Sequence, residues 1–164
     1  MTRLAVFIAT VGYCGYFPFA PGTVGSAAGL VVYALVWWTA SPVLEVSLIV
    51  ALFALGVWAG TTAERYFGGV DPGPIVLDEV VGMLITLAFI PGLGWSGALA
   101  GFVLFRIADI IKPFPAGRFE QLHGGLGVMA DDAMAAVYAN IALRFLLWLV
   151  PGWIARHPRF RPPK

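Results

Sequence analysis

Long apolar stretches alternate with short polar segments along the chain. No charged residue occurs from position 4 to 44, from 46 to 63, or from 80 to 105. Stretches of 18 or more such residues are long enough for a helix to cross about 30 Å of hydrocarbon. Open sheets are excluded from a bilayer, because every backbone polar group there must be satisfied within the protein. The pattern therefore predicts an all-α, polytopic integral membrane helical bundle.

Prolines and glycines divide the apolar stretches into about four to five hydrophobic helices. The predicted helices cover residues 24–39, 43–66, 75–90, 95–111 and 130–149. Residues 4–20 are apolar but rich in glycine and aromatic side chains, which indicates a re-entrant or half-spanning N-terminal segment. No repeat or linker interrupts the chain. We therefore expect a single membrane-embedded domain over residues 1–164, with a basic tail at 156–164.

Three pairs of glycines are spaced four residues apart within the predicted helices. They are Gly25 with Gly29, Gly56 with Gly60, and Gly97 with Gly101. Small residues at this spacing let membrane helices pack closely. We therefore expect these glycines to lie at contacts between helices.

Composition agrees with a membrane protein and narrows the classes of function. Hydrophobic residues make up 60% of the chain and charged residues 12%, about half the charged fraction of a soluble domain. The net charge of +1 gives no overall field that would attract nucleic acid, so we expect no nucleic-acid partner. The single cysteine, Cys14, has no partner for an internal disulfide.

The acidic residues gather at the ends of three predicted helices. Asp78 and Glu79 open the third helix, Asp109 lies in the last turn of the fourth, and Asp131 with Asp132 opens the fifth. The third and fourth helices form a hairpin, and the loop after the fourth returns the chain to the same face of the membrane. We therefore expect five carboxylates from three helices to converge at one level of the bilayer.

Two interpretations of this acidic cluster are open. In the first, acids in a first turn favour the positive end of the helix dipole, and Asp109 pairs with Arg106 or Lys112. In the second, the acids bind a divalent cation, because nearby carboxylates repel one another and raise each other's pKa. Mg²⁺ takes oxygen ligands, typically a few carboxylates with waters and substrate phosphate. A cation accounts for all three groups of acids together.

Basic and hydroxyl side chains near the acids suggest a phosphate ligand. Arg106, Asp109 and Lys112 are three residues apart and lie on one side of a helix. Arg grips phosphate with two N–H groups and Lys neutralises it as a point charge, although Lys112 could instead extend to the membrane interface. Thr23 and Ser26 are placed either to bring hydroxyls to a phosphate or to cap a helix.

His123 and Arg144 are two further polar residues that the pattern singles out. His123 precedes the glycine-rich loop 124–127, where a histidine could give a proton to a leaving alkoxide or orient a water. A purely structural histidine is the alternative. Arg144 lies in the middle of the fifth predicted helix, so we expect it to face a protein interior or an oligomer contact.

Three segments of the chain resemble the phosphatidylglycerophosphatase A family. Residues 101–140 (GFVLFRIADIIKPFPAGRFEQLHGGLGVMADDAMAAVYAN) carry an FR..D..KP.P element followed by an HGG.G.M.DD element. Residues 71–87 (DPGPIVLDEVVGMLITL) resemble the family's IV.DE..G.W segment, with Met83 where an aromatic often stands. Residues 21–28 (PGTVGSAA) resemble its PGT.GS segment. The segments occur in the family's order and are specific when taken together.

The resemblance implies a Mg²⁺-dependent lipid phosphatase that converts phosphatidylglycerophosphate to phosphatidylglycerol in bacterial phospholipid synthesis. By matched position, the candidate metal ligands are Asp78, Glu79, Asp109, Asp131 and Asp132. Asp109 and Asp132 are thereby also candidate catalytic residues, together with His123 as general acid or base. Arg106 and Lys112 would hold the phosphate, with Thr23 and Ser26 beside them. The implied partners are the lipid substrate and the surrounding membrane lipids.

A small transporter or channel with an acidic cation site is the alternative function. Such a protein carries its charged residues at mid-membrane along a pathway. Here most charges lie at predicted helix ends, which favours an enzyme that acts on lipid headgroups. Basic residues are evenly divided between the two faces, so they do not decide the orientation. We expect a multi-pass protein of the bacterial inner membrane with its site facing the cytoplasm, because the family's substrate is made there.

Overall fold

The computed structural model describes residues 1–119, 122 and 124–150, and every regular element within them is helical. The helices are α1 (Thr2–Ala9), α2 (Pro21–Trp37), α3 (Pro42–Phe67), α4 (Leu77–Leu87), α5 (Trp95–Ile111), α6 (Ala116–Phe119) and α7 (Gly125–Leu149). A 3-10 turn at Cys14–Tyr16 lies between α1 and α2. The predicted all-α class is confirmed. His123 and the basic tail at 156–164 lie outside the described residues.

Local sequence signals explain where the longer helices begin and end. Pro21 and Pro42 occupy the first turns of α2 and α3, where proline's missing N–H removes no helical bond. The Ser41 hydroxyl accepts the N–H of Leu44 at 3.3 Å and caps α3. Gly68, at φ 78°, ends α3 in the left-handed conformation. The observed α2 and α3 start and stop within three residues of their predicted bounds, and α5 matches its prediction.

Two helices differ from their predictions in ways that affect the acidic residues. α4 covers 77–87 rather than 75–90. It begins late because the Val76 N–H donates to the Ala9 carbonyl at 2.9 Å and holds the chain outside the helix. α7 begins at Gly125 rather than at 130, after Gly124 at φ 73°. Asp131 and Asp132 therefore lie in the second turn of α7 and do not open it.

α4 lies at the centre of the bundle and packs against α2, α3, α5 and α7. Glycines allow these close approaches. A Cβ at Gly25 would lie 2.7 Å from the Val76 side chain, and a Cβ at Gly29 would lie 2.6 Å from Met83. Within α4, Gly82 leaves room for the buried ring of Phe105.

The other two glycine pairs also face neighbouring helices. Gly56 faces Met129, and Gly60 approaches the backbone of Gly125, so this pair joins α3 to α7. Gly101 and Gly97 adjoin leucines of α7. The expectation that the spaced glycines mark helix contacts is therefore confirmed.

The C-terminal end of α4 is capped by two polar side chains of α7. The Asn140 amide donates to the carbonyls of Ile85, Thr86 and Ala88 at 3.2, 2.8 and 3.2 Å. The Arg144 Nη2 donates to the carbonyls of Ala88 and Phe89 at 3.0 and 2.9 Å, and its Nε donates to the Asn140 carbonyl oxygen. Carbonyls at a helix end carry partial negative charge and need donors. Arg144 therefore stabilises an internal helix end.

Replacing Asn140 with leucine is expected to destabilise the protein by about 2 kcal/mol, since three carbonyls at the end of α4 lose a donor. Unfolding in detergent, followed by circular dichroism, measures the change. Ala142→Leu, at an exposed position of the same helix, is the matched control and should leave stability unchanged. Equal stability of the Asn140→Leu variant and the parent would contradict the capping role.

Two helices, α3 and α7, are long and apolar enough to cross a membrane. Only 17% and 33% of their most apolar stretches are buried inside the protein, so most of their apolar side chains face outward. α1 and α4 are about 12 and 16 Å long at 1.5 Å per residue, too short to cross alone. Exposed tryptophans at positions 37, 38, 95 and 148 lie at the end of the bundle where α2 and α7 finish and α5 begins. These features indicate association with a membrane.

Candidate active site

Three carboxylates from two helices converge at the end of the bundle opposite these tryptophans. Asp78 and Glu79 lie in the first turn of α4, and Asp132 lies in the second turn of α7. Each of the three offers an oxygen within 4.8 Å of the oxygens of the other two. Asp78 and Asp132 are only 5% and 4% exposed. Three carboxylates at this distance, two of them buried and the third partly buried, need a compensating positive charge.

Burial makes the charged form of these acids unfavourable. It raises the pKa of Glu79 to about 8, and the charges of Asp132 and Asp109 add to the rise, while Asp78 and Arg106 oppose it. Burial and the neighbouring Glu79 also hold the pKa of Asp78 well above its ordinary value. A cation among the carboxylates would remove this penalty.

Two buried oxygens of the cluster have no hydrogen-bond donor within the described part of the chain. They are Glu79 Oε2 and Asp132 Oδ2. A buried oxygen acceptor without a donor is costly unless something else binds it. Hard divalent cations such as Mg²⁺ bind this type of oxygen ligand. Asp78, Glu79 and Asp132 therefore have the chemistry and spacing of a metal site.

Arg106 and Asp109 adjoin the carboxylate trio from α5. Arg106 Nη1 lies 2.8 Å from Asp109 Oδ2 and 3.8 Å from Glu79 Oε1. The same buried Nη1 has no hydrogen bond of good geometry among the described residues. Asp109 thus pairs with Arg106, while the guanidinium keeps donor capacity beside the carboxylates. An anion such as phosphate would satisfy that donor.

The N-terminal turn of α2 packs directly onto this pair. A Cβ at Gly22 would collide with Glu79 Oε1 and would lie 2.9 Å from Arg106 Nη1. A side chain at position 22 would therefore displace the Glu79 carboxylate and the Arg106 guanidinium. The PGT segment marks this turn in the sequence, but the residues predicted there to contact phosphate were Thr23 and Ser26 and not Gly22.

The predicted hydroxyl ligands of α2 have different surroundings. Thr23 is exposed at the start of the helix. Ser26 is fully buried, and its O–H donates to the Gly22 carbonyl at 2.8 Å. That bond uses the single donor of the serine in this structure, and the phosphate role of Ser26 stays a prediction. Neither residue caps α2, because the N-cap position is Ala20 and no side chain bonds there.

Asp131 and Lys112 form a separate ion pair. Lys112 Nζ lies 2.7 Å from Asp131 Oδ2, and Asp131 Oδ1 accepts the Asp132 N–H at 2.9 Å. Asp131 is not one of the three convergent carboxylates. The pair links the end of α5 to α7 and so supports the position of Asp132. The metal role predicted for Asp131 and the phosphate role predicted for Lys112 gain no support from this geometry.

Thr61 on α3 positions the start of α7 and was not among the residues predicted from the sequence. Its hydroxyl donates to the Val57 carbonyl at 2.7 Å and accepts the Gly125 N–H at 2.9 Å. Gly125 has no room for a side chain, because a Cβ there would collide with the Val57 carbonyl. The available signal was a polar residue inside an otherwise apolar helix, next to Gly60.

Thr61→Val is expected to lower the turnover number about tenfold, because the Gly125 N–H loses its acceptor and the first turns of α7, which carry Asp132, shift. Thr61→Ser keeps the hydroxyl and should restore most of the activity. Initial rates of phosphate release, compared at equal protein stability, measure both effects. Equal rates for the valine and serine variants would contradict the positioning role.

The chain is similar to known phosphatases over most of its length. The sequence profile of the family described as phosphatidylglycerophosphatase A matches residues 7–147. A phosphatidylglycerophosphatase A of Haemophilus influenzae is 42% identical over 125 residues, which cover 76% of this chain and 77% of that protein. The Escherichia coli protein of the same name is 40% identical over 134 residues, covering 80% of this chain and 77% of that protein.

A third relative carries a different name. A protein of Bacteroides thetaiotaomicron, provisionally named a phosphatidylinositol-3-phosphatase, is 36% identical over 160 residues, which cover 90% of this chain and 96% of that protein. No solved structure is significantly similar to the chain. The family profile and the two relatives that share its name agree with the motifs that surround the carboxylate site. The chain is therefore an enzyme of the phosphatase class and belongs to the phosphatidylglycerophosphatase A family.

Proposed function

We propose that the chain is a Mg²⁺-dependent lipid phosphatase that hydrolyses phosphatidylglycerophosphate to phosphatidylglycerol and phosphate in bacterial phospholipid synthesis. One observation carries the proposal beyond the family name. Buried acceptors without donors, Glu79 Oε2 and Asp132 Oδ2, lie in the same site as the buried Arg106 Nη1, which is ion-paired with Asp109 Oδ2 at 2.8 Å but makes no well-aligned hydrogen bond among the described residues. A cation satisfies the first two atoms and a phosphate satisfies the third.

Each side chain has a separate task in this proposal. The Mg²⁺ ligands would be Asp78, Glu79 and Asp132. The ion, when bound, would act as a Lewis acid that polarises phosphoryl oxygens and makes water more acidic. Arg106 binds the phosphoryl oxygens and offsets their charge, and Asp109 fixes the guanidinium at 2.8 Å. Water attack at phosphorus breaks the bond to the glycerol oxygen, which leaves with a proton. On the family resemblance, His123 is the candidate general acid or base.

The same proposal includes a position in the membrane. We place α2, α3, α5 and α7 across the bilayer of the bacterial inner membrane, with α4 enclosed between them. Asp132 is about 24 Å along α7 from Trp148, at 1.5 Å per residue. That separation puts the carboxylates near one interface when Trp148 lies at the other. The carboxylate end faces the cytoplasm, where the lipid substrate is made.

The test is phosphate release by the purified chain in detergent micelles that contain phosphatidylglycerophosphate. Release that requires Mg²⁺, stops with a chelator and resumes when Mg²⁺ is restored is the expected result. No release from folded protein with Mg²⁺ present would overturn the proposal. The transporter alternative would then be tested by cation flux in sealed vesicles.

Phosphatidylinositol 3-phosphate is the competing substrate to include, because one relative carries the name of that activity. The proposal expects a kcat/KM at least tenfold higher for phosphatidylglycerophosphate, measured separately on each lipid at the same surface concentration. A preference for the inositol lipid would keep the phosphatase class and overturn the proposed substrate.

A further inference from the structure

A cavity of about 180 Å³, open to the surface of the bundle, lies beside the C-terminal end of α4, away from the carboxylates. Its lining residues are Ile85, Ala88, Phe89, Val137, Asn140 and Ile141. The cavity adjoins the level at which α4 ends, while α7 continues to Leu149. An apolar cavity of about 150 Å³ holds a benzene molecule. This cavity therefore has room for roughly six carbons of an acyl chain.

Arg144 adjoins this cavity and has unused hydrogen-bonding capacity. It hydrogen-bonds three of the six lining residues, Ala88, Phe89 and Asn140, through Nε and Nη2. Its Nη1 forms no hydrogen bond within the described part of the chain, and the residue is exposed. No carboxylate of residues 1–119 or 124–150 lies within ion-pairing distance of it. Glu45, in the first turn of α3 at this end of the bundle, forms no ion pair with Arg144.

The order of these groups along α7 matches the order of groups in a phospholipid. Trp148 is one turn beyond Arg144 and lies at the same end as Trp37, Trp38 and Trp95, and exposed tryptophans are typical of a membrane interface. Arg144 lies about 6 Å closer to the bilayer centre than Trp148, at the boundary between headgroups and acyl chains. Ile141 and Val137 lie one and two turns deeper. A cation at headgroup level is thus followed by an apolar cavity.

We propose that this end of the bundle binds an acidic phospholipid, with its phosphate on Arg144 Nη1 and part of an acyl chain in the cavity. An acidic headgroup is favoured over a zwitterionic one, because Arg144 has no carboxylate partner and a zwitterionic headgroup brings its own cation. The site is about 18 Å from Asp132 along α7, so it is distinct from the carboxylate site. The inference rests on the membrane position included in the proposed function but not on catalysis.

Photolabelling tests the proposal on the full chain in nanodiscs. The probes are phosphatidylglycerol and phosphatidylcholine that carry a diazirine in the middle of one acyl chain, each at the same trace fraction. Peptide mass spectrometry locates the labels. The expected result is at least threefold more labelling of residues 85–89 and 137–141 by the acidic probe. Because labels are mapped to residues and no turnover is needed, failure of the phosphatase assay leaves this result interpretable.

Two variants separate the headgroup contact from the cavity. Arg144→Gln is expected to remove the preference for the acidic probe. Ile141→Trp fills the cavity, leaves the hydrogen bonds of Arg144 in place and should abolish labelling of 85–89 by both probes. Val103→Trp, at an exposed apolar position of α5, is the matched control and should change neither result. Three results would overturn the proposal. They are equal labelling by the two probes, a preference for the acidic probe that survives Arg144→Gln, and the absence of labelling at 85–89 and 137–141.

Discussion

Asp132→Asn is expected to lower kcat/KM for phosphate release about 10³-fold, which corresponds to about 4 kcal/mol of transition-state stabilisation. Loss of residues that merely support a metal ligand typically lowers metal affinity or activity by about 10- to 100-fold, and loss of a ligand should have a larger effect. Asp132 is 4% exposed, and its oxygen lies within 4.8 Å of those of Asp78 and Glu79. The amide keeps the shape of the side chain but removes the charge.

A second measurement tells whether the loss reflects metal binding. Mg²⁺ should raise the unfolding temperature of the parent chain, because a ligand that binds only the folded state stabilises it. The Asp132→Asn variant should lose this shift. Without metal, it should be at least as stable as the parent, because one of three repelling carboxylates is neutral. Glu45→Gln, at the other end of the bundle, is the control and should retain the activity and the shift. A folded Asp132→Asn variant within tenfold of parental activity would rule out the proposed metal site.

Gly22→Ala is expected to lower activity about 100-fold through a single added methyl group. That carbon would collide with Glu79 Oε1 and lie 2.9 Å from Arg106 Nη1, so the groups proposed to bind metal and phosphate must move apart. Displacements of about 1 Å in a catalytic site typically lower the rate by this amount. Because Gly22 has no catalytic side chain to lose, the effect isolates the geometry of the site.

The matched control is Gly69→Ala, where an added Cβ has no neighbour within 4 Å. It should leave activity and stability unchanged. Gly29→Ala, which would press on Met83 in the core, should lower stability and reduce activity only in proportion to the folded fraction. If Gly22→Ala proves as active as Gly69→Ala, the α2 turn does not shape the active site.

The positions of the long helices and of the contacts between helices could be predicted from the sequence, because each depends on a local property. Long uncharged stretches marked α3 and α5, and spaced glycines marked the contacts between helices. The approach of Asp78, Glu79 and Asp132 was predictable from the hairpin of α4 and α5, followed by the return of the chain to the same face. Chain direction and charge position were sufficient for that step.

Other features depend on contacts between residues far apart in the chain. The early end of α4 follows from donors on Asn140 and Arg144, more than 50 positions away. The pairing of Asp131 with Lys112 rather than with the acidic trio depends on the rotation of α7, which starts five residues earlier than predicted. The number of helices that cross a membrane stays a prediction. Among the described residues, α3 and α7 are long and apolar enough to cross, whereas α4 is apolar but too short to cross alone.

The cap on α4 has a consequence for the order in which the protein assembles. α4 and α5 leave the ribosome before α7, so the carbonyls at the end of α4 lack the Asn140 and Arg144 donors until α7 has been synthesised. Unsatisfied carbonyls are costly in hydrocarbon, and α4 is too short to cross it. In the membrane position proposed above, stable insertion of α4 should therefore wait for α7. The same helix brings Asp132, so the cap and the third carboxylate arrive together, and an unfinished chain cannot form a complete site.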